Sequence, residues 1–383
     1  MEFALWAYPW DLLDEGPTRV TNRLDELGVG EVTLATNYHT VQAFAPHNPE
    51  RRTFFARASS YFEPGEGYGR LEPVPYEGMT GDWVADIAAE LGDVRLNSWT
   101  VGCHNSRLGM QHPDVTLTSA HGDDLVFGLC PSNPDVQEYL VALVHDLAVR
   151  EHFDRIELET FDYFYGTGFG WHHQKIHAQL GTLGEFLFGL CFCDHCRENA
   201  EDAGIDTDDV RTTVADALDS VIAGSTPHDL SPELWLREHG AVAEYVGVRA
   251  ETLADLYADF AVASGQTPLG YYVGAPEPGR EWMLGADLEQ LSEHVDYYCL
   301  PAYESSTAEV MDAYQAVDAL SPDVPLHVGL LPGHPAIHDE ETLVDIVDAL
   351  RAAGVPRVSF YNYGLLPEQS LDWIRAATNP AGL

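Results

Sequence analysis

Basic side chains are scarce in this chain of 383 residues, in which 19 Lys and Arg stand against 62 Asp and Glu. Lys175 is the only lysine, and the formal net charge is −43. Because phosphate binding needs basic patches, this balance argues against nucleic acid as a partner. The carboxylates are spread along the chain and 45% of the residues are apolar, so we interpret them as the surface of a globular protein.

An acidic surface of this kind repels itself in dilute buffer. Salt at about 1 M shortens the Debye length to about 3 Å, whereas salt at about 0.1 M leaves it at about 10 Å. We therefore expect a halophilic protein that works in a salt-rich cytoplasm. The charge indicates the environment and carries no information about the reaction.

Long apolar runs are also missing. No stretch approaches the roughly 18 consecutive apolar residues of a membrane-spanning helix. The segment Met1–Tyr8 has no basic residues of the kind that begin a signal peptide. We expect a soluble protein that has no membrane partner. A glycine-rich dinucleotide turn is missing too, which weighs against a doubly wound open sheet, the competing fold.

Short β-type runs alternate with helical stretches along the chain. Elements in this order predict parallel strands joined by right-handed crossovers. The predicted strands are Phe3–Tyr8, Glu31–Tyr38, Val94–Val101, Arg155–Thr160, Leu269–Val273, Asp296–Tyr303, Leu326–Leu331 and Arg357–Tyr363. They predict an α/β fold, a (β/α)8 TIM barrel that forms a single domain over residues 1–383. Long loops follow the second and fourth strands: residues 40–81, predicted as a lid, and residues 161–196, which contain three cysteines.

The cysteines suggest a metal site. Cys191, Cys193 and Cys196 stand within six positions, a spacing that lets three sulfurs converge on one ion, and Cys130 offers a fourth thiolate. Together they predict a structural zinc site that ties two distant loops together. Buried apolar cysteines are the alternative. The two remaining cysteines each lie in an apolar stretch, and we interpret both as core.

Two glutamates of the fourth predicted strand face the barrel interior. In Arg155–Thr160, period-2 alternation points Glu157 and Glu159 inward. Burial of two stacked carboxylates would raise at least one pKa into the range of a general acid. Glu159 is the better candidate because catalytic residues cluster at the C-terminal ends of barrel strands. A structural salt bridge, with Arg95 or Arg155, is the alternative for such a pair.

Aromatic, imidazole and amide side chains cluster at the predicted strand ends. At the mouth of a barrel such groups can stack on a sugar ring and bind its hydroxyls. The candidates for carbohydrate binding are Trp6, Tyr8, Tyr38, His39, Trp99, His104, Asn105, Tyr303 and Asn362. Packing is the alternative for each of them, and loop capping for Asn105. Glu304 closes the sixth strand and is the best candidate for a second catalytic carboxylate, with Asp162 and Asp11 as rivals.

These motifs also resemble a known family. Three motifs follow one another in an order similar to that in the catalytic barrel of the glycoside hydrolase family 42 β-galactosidases: Cys130–Pro134, a strand that ends in Glu159, and Cys191–Cys196. The resemblance covers roughly Asn97–Ala200. It implies zinc binding by the four cysteines, a general acid/base role for Glu159 and a carbohydrate substrate.

The chain departs from that family at two positions. Leu158 stands where the family has the Asn that precedes its acid/base. The seventh predicted strand and its end, Leu326–Gly333, have no carboxylate where the family has its nucleophile. The resemblance therefore implies a distant relative rather than a β-galactosidase.

Three functions are consistent with these residues. The leading hypothesis is a glycoside hydrolase with Glu159 as general acid and a structural zinc. The second is a metal-dependent sugar isomerase or epimerase, in which Glu159, Glu304 and a histidine bind a divalent ion. The third is a carbohydrate-binding protein that has lost catalysis. His173 and His177 are candidates for a second metal site if their segment is helical, and solvated histidines are the alternative. The sequence leaves open the sugar, the linkage and the oligomeric state, a homo-oligomer included.

Overall fold

Eight parallel strands close into a barrel in a computed structural model that describes residues 1–163, 166, 175–275 and 277–379. Each strand pairs in parallel with the next one along the chain, and the last pairs with the first. The strands are Glu2–Ala7, Glu31–Tyr38, Arg95–Val101, Arg155–Glu159, Leu269–Tyr272, Tyr297–Pro301, Leu326–Leu330 and Arg357–Phe360. The predicted (β/α)8 barrel is confirmed.

The strands form because both of their faces are covered. Glu31–Tyr38, for example, is buried along its whole length, as expected for a parallel strand between a filled barrel and a layer of helices. Side chains such as Val32 and Leu34 pack outward against the helices, in the main hydrophobic core. The inward side chains are polar lower in the barrel and aromatic toward its mouth.

Helices surround the barrel. The α-helices are Pro9–Glu15, Pro17–Glu26, Trp83–Glu90, Ser106–Gln111, Pro134–Val149, Gly181–Gly189, Asp194–Asp202, Thr207–Ile222, Pro232–Glu238, Gly240–Ser264, Leu288–Leu291, Thr307–Asp318, Glu340–Ala352 and Glu368–Thr378. Local sequence sets their starts: the Asn133 side chain accepts a hydrogen bond from the Asp135 N–H, and Pro134 occupies the first helical position. Among the described residues, no helix is both long enough and apolar enough to cross a bilayer.

A buried ion-pair network fills the lower barrel interior. Arg357 Nη2 donates to Glu157 Oε1 at 2.6 Å, while Arg155 and Arg95 pair with Glu31. Glu157 therefore has a structural partner, and that partner is Arg357 rather than the Arg95 or Arg155 expected from the sequence. Arg357 comes from the eighth strand and Glu157 from the fourth, so the pair spans the barrel.

The first long loop packs against the barrel. Within residues 40–81, Val41–Phe44 and Thr53–Ala56 form an antiparallel hairpin. The hairpin is anchored where the Phe54 ring stacks on Trp10, with centroids 4.9 Å apart. Its role as a lid stays a prediction. In the second loop, residues 164–165 and 167–174 lie outside the described residues, so the second metal site predicted at His173 lies outside them too.

Candidate active site

A cavity of about 460 Å³ opens where the barrel strands end, and its size is typical of small-molecule sites. Its walls come from the ends of at least seven of the eight strands, so the barrel closure itself brings these residues together. The sequence-predicted site residues that line it are Trp6, Tyr38, His39, Trp99, His104, Glu159 and Tyr303.

Four predicted site residues are not among the described side chains that line this cavity. Tyr8 stacks on Trp10, and its hydroxyl lies 3.4 Å from that of Tyr361. Asn105 caps the helix Ser106–Gln111 by accepting from the Leu108 N–H at 3.0 Å, which is the capping alternative. Asn362 accepts from the Gly364 N–H. Glu304 is half-buried in the loop after the sixth strand.

Glu159 is the carboxyl group at the end of the fourth strand. The Trp99 indole N–H donates to its Oε2 atom. Desolvation by the surrounding protein raises the pKa of Glu159 to about 7, against the opposing effect of the Trp99 hydrogen bond. A carboxyl group with this pKa is partly protonated at neutral pH and can therefore donate a proton.

The backbone just after Glu159 is held in an uncommon conformation. Thr160 has φ of +52°, in the left-handed region that costs a non-glycine residue about 1–3 kcal/mol. Hydrogen bonds from the Gly102 N–H to the Glu159 carbonyl and from the Cys103 N–H to the Thr160 carbonyl fix it there, at 3.0 and 2.8 Å. This turn ends the strand and sends the chain along the cavity wall.

Asp162 is the second carboxyl group that lines the cavity. The Tyr271 hydroxyl donates to its Oδ2 atom at 2.6 Å. Burial raises the pKa of Asp162 to about 7, although the Tyr271 hydrogen bond and the Arg249 charge both act to lower it. From the sequence Asp162 is only a rival to Glu304. The sequence feature that indicates a place for Asp162 in the cavity is its position three residues after Glu159, the residue that ends the fourth strand.

Aromatic rings form the floor and sides of the cavity. Trp6 lies 6.0 Å from Tyr272 and 6.3 Å from Trp99, and Trp99 meets Tyr38 edge-on at 4.4 Å. Tyr272 accepts from the Trp6 indole and donates to Glu157, so the floor is linked to the ion pair beneath it. Tyr272 and Tyr361 also belong to the aromatic residues that the sequence pattern places at the strand ends. Such a surface can stack on an apolar ring face.

Two histidines close one side of the cavity. The rings of His39 and His104 stack with centroids 4.5 Å apart. Burial lowers the pKa of both below the ordinary histidine value, and the proximity of His39 lowers that of His104 further. Both are therefore neutral at pH 7 and offer hydrogen bonds rather than charge.

The four predicted metal-binding cysteines come together in a separate cluster. Cys130 Sγ lies 3.4 Å from Cys196 Sγ, 3.5 Å from Cys193 Sγ and 3.7 Å from Cys191 Sγ. All four sulfurs lie within 4.8 Å of one another and could bind a metal. The Thr118 N–H points at Cys191 Sγ at 3.3 Å, as backbone donors do around thiolates.

Comparison with known proteins gives the fold. The sequence matches no described protein family and no curated protein. The PgaB (BpsB) glycoside hydrolase domain from Bordetella bronchiseptica matches over 100% of both chains, with 13% identity and a TM-score of 0.58. A β-galactosidase from the psychrophilic Marinomonas ef1 matches over 99% of this chain, with 10% identity and a TM-score of 0.60. The chain spans 59% of that β-galactosidase.

A third match is the catalytic domain of β-amylase from Paenibacillus polymyxa. It is 9% identical, has a TM-score of 0.54, and is matched over 94% of its length by 97% of this chain. At these identities the similarity establishes a shared barrel fold.

Proposed function

We propose that this protein is a glycoside hydrolase in which Glu159 is the general acid. The observation that carries the proposal is the position of Glu159: a carboxyl group with a pKa of about 7 at the end of a barrel strand, in a cavity walled by aromatic rings. The three structural matches described above are a glycoside hydrolase domain, a β-galactosidase and a β-amylase, which supports the same chemistry.

The geometry of the cavity suits a sugar. The ring faces of Trp6 and Trp99 provide apolar surface, while Tyr38, Tyr303 and the neutral His39 provide polar tips that bind hydroxyls. The Trp99 N–H positions Glu159 and opposes the rise in its pKa that burial causes. The pKa of Glu159 therefore stays near 7, close to the pH at which the acid would work. Protonation of the glycosidic oxygen by Glu159 would assist departure of the leaving group.

The proposal includes zinc in the cysteine cluster. A tetrahedral zinc with Zn–S bonds of about 2.3 Å requires sulfurs about 3.8 Å apart, and the separations from Cys130 of 3.4 to 3.7 Å are close to that value. Four thiolates leave no open position, so the metal would hold the segments around Cys130 and Cys191–Cys196 together and take no part in bond cleavage.

No observation favours the metal-dependent isomerase. Among the described residues, the four cysteines are the one group of three or more His, Cys, Asp and Glu side chains close enough to hold an ion. EDTA treatment separates the two functions: hydrolase activity should persist after removal of loosely bound metal, whereas isomerase activity would vanish and return with manganese.

The decisive experiment is Glu159→Gln, assayed on aryl glycosides and oligosaccharides in concentrated KCl. For substrates with poor leaving groups we expect a rate loss on the order of 10²- to 10⁴-fold. Activated aryl substrates need less protonation and should lose less. Glu304 is not among the cavity-lining residues, so Glu304→Gln tests the second carboxylate predicted from the sequence: a loss as large as that of Glu159→Gln would support Glu304 as the base. Undiminished turnover by Glu159→Gln on a poor-leaving-group substrate would contradict the proposal.

A further inference from the structure

The two carboxyl groups that line the cavity lie on the same wall. Glu159 ends the fourth strand, and Asp162 follows three residues later in the loop of that strand. Every Asp and Glu of the chain lies within the described residues, and of all of them Glu159 and Asp162 line this cavity. Direct displacement by protein groups places two carboxylates on opposite sides of the scissile bond, about 5–5.5 Å or about 6.5–9.5 Å apart. Because Glu159 and Asp162 come from one strand end and the loop that follows it, the two groups can instead act on neighbouring atoms of the substrate.

Asp162 is fixed in place as a hydrogen-bond acceptor. Tyr271 donates to it from the neighbouring fifth strand, and the Arg249 guanidinium favours its ionised form. Arg249 is itself held over the Tyr163 ring at 4.3 Å, next to Asp162 in the chain. These contacts hold the Asp162 carboxyl group in the cavity lining, on the loop that follows Glu159.

Part of the cavity lining near these carboxyl groups is apolar. Trp6 and Tyr272 are 6.0 Å apart, and Gly274, Leu284 and Pro301 belong to the same lining. The Tyr163 N–H donates to the Leu284 carbonyl at 3.0 Å, which joins this apolar lining to the loop that contains Asp162. An acidic acceptor beside apolar side chains matches an amide with a small alkyl group, because the N–H can face the carboxylate while the methyl group contacts the apolar side chains.

We propose that the substrates are 2-acetamido-2-deoxy-β-glycosides and that their own acetamido carbonyl oxygen is the nucleophile. This inference rests on the proposed hydrolase function. The carbonyl oxygen bonds to C1 while the bond from C1 to the leaving oxygen breaks, and the electron pair of that bond takes the proton of Glu159. Asp162 accepts the amide proton, which leaves a neutral oxazoline.

Water then completes the reaction. It adds to C1 as Glu159 takes one of its protons. At the same time the oxazoline oxygen leaves C1 and becomes the amide carbonyl again, and Asp162 returns the proton to the nitrogen. The net reaction is hydrolysis with retention, and both carboxyl groups regain their starting protonation states. The scheme needs Glu159 protonated and Asp162 ionised, and the Tyr271 hydrogen bond and the Arg249 charge both act on Asp162 in the direction of the ionised form.

The first test compares 4-nitrophenyl 2-acetamido-2-deoxy-β-glycosides with the matched 2-hydroxyl β-glycosides in concentrated KCl. We expect a preference in kcat/KM on the order of 10²-fold or more for the acetamido series. Successive fluorination of the acetamido methyl group weakens the carbonyl nucleophile and should lower kcat at each step. An unchanged kcat across the fluorinated series would overturn the inference.

The second test is Asp162→Asn. We expect a loss in kcat on the order of 10²- to 10⁴-fold on acetamido substrates, measured at a temperature where circular dichroism shows the variant to be folded. Asp146→Asn is the matched control, because Asp146 is a buried aspartate that also accepts a tyrosine hydroxyl, that of Tyr68 at 2.7 Å, on the outer helix Pro134–Val149. This control should keep wild-type kcat, and equal losses in both variants would overturn the role of Asp162.

The outcomes separate the two proposals. Equal or faster hydrolysis of the 2-hydroxyl series overturns the acetamido inference and leaves the hydrolase function standing. No hydrolysis of either series, together with no turnover of oligosaccharides, overturns the hydrolase function itself. Calorimetric binding of an N-acetylglucosamine-derived thiazoline, a stable analogue of the oxazoline, provides a readout that does not depend on turnover, and absence of binding counts against the inference.

Discussion

The buried ion pair between Arg357 and Glu157 should contribute strongly to stability because neither side chain can be solvated if the other is removed. Their side chains are 1% and 0% exposed, and their closest atoms lie 2.6 Å apart. Glu157→Gln keeps the shape of the side chain but removes its charge. It leaves the Arg357 guanidinium with Glu31 at 3.6 Å as its remaining anionic partner. Breaking one side of such a buried pair costs about 3–5 kcal/mol.

Urea denaturation at fixed KCl measures this loss directly. Since typical domains have about 5–15 kcal/mol of stability in total, a shift of this size moves the unfolding midpoint far beyond experimental error. The matched control is Glu368→Gln, which removes the exposed partner of Arg23 and should cost at most about 1 kcal/mol. Raising KCl from about 1 M to about 3 M should leave the loss in Glu157→Gln unchanged, because salt does not screen a buried pair.

A double substitution, Glu157→Met with Arg357→Met, tests the reasoning further. It removes both charges, so it should be less destabilising than the sum of the two single substitutions. If Glu157→Gln lowers the free energy of unfolding no more than the Glu368→Gln control does, the buried pair contributes no more to stability than an exposed one.

Four further outcomes are expected. Cys193→Ser should lose bound zinc by elemental analysis and lower the melting temperature more than it changes substrate preference. Trp99→Phe removes the hydrogen bond that lowers the pKa of Glu159, so the basic limb of the pH–rate profile should move to higher pH. Burial raises the pKa of Asp11 from 3.8 to about 7, so its stabilising contribution is complete below about pH 4 and is lost as the pH rises through 7. Between pH 5 and pH 8, Asp11→Asn should therefore gain stability relative to the wild type by about 3 kcal/mol in urea titrations, which is two pKa units at about 1.4 kcal/mol each. The melting temperature of the wild-type protein should fall on dialysis from multimolar KCl to dilute buffer, and an unchanged value would rule out a halophilic role for the −43 charge.

Much of the fold follows from local sequence signals. Runs such as Glu31–Tyr38 have the length of a strand and are rich in β-forming residues, which suffices to locate the strands, and their number and alternation with helices predict the barrel. The direction of Glu159 into the barrel follows from strand periodicity alone. The cysteine spacing brings three thiols together at the start of one helix, since Cys193 immediately precedes the helix Asp194–Asp202 and Cys196 lies in its first turn.

The remaining features depend on contacts between distant parts of the chain. The partner of Glu157 is Arg357, 200 residues away, and no local pattern distinguishes it from Arg155. The choice of Asp162 over Glu304 as a cavity carboxylate depends on the left-handed turn at Thr160, which is a property of the loop conformation rather than of strand periodicity. The loop conformations at this site therefore cannot be predicted from local sequence patterns.

The cysteine cluster is linked to the loop that contains Asp162. Ser132 Oγ lies 3.3 Å from Cys196 Sγ and 2.6 Å from the Tyr163 hydroxyl, while the Tyr163 ring contacts Arg249. Arg249 is 3% exposed, so its charge needs nearby anions, and Asp162 and a metal bound by the four thiolates would supply them. A metal in the cluster would take no part in bond cleavage, yet through Tyr163 and Arg249 it would help to fix the position of Asp162.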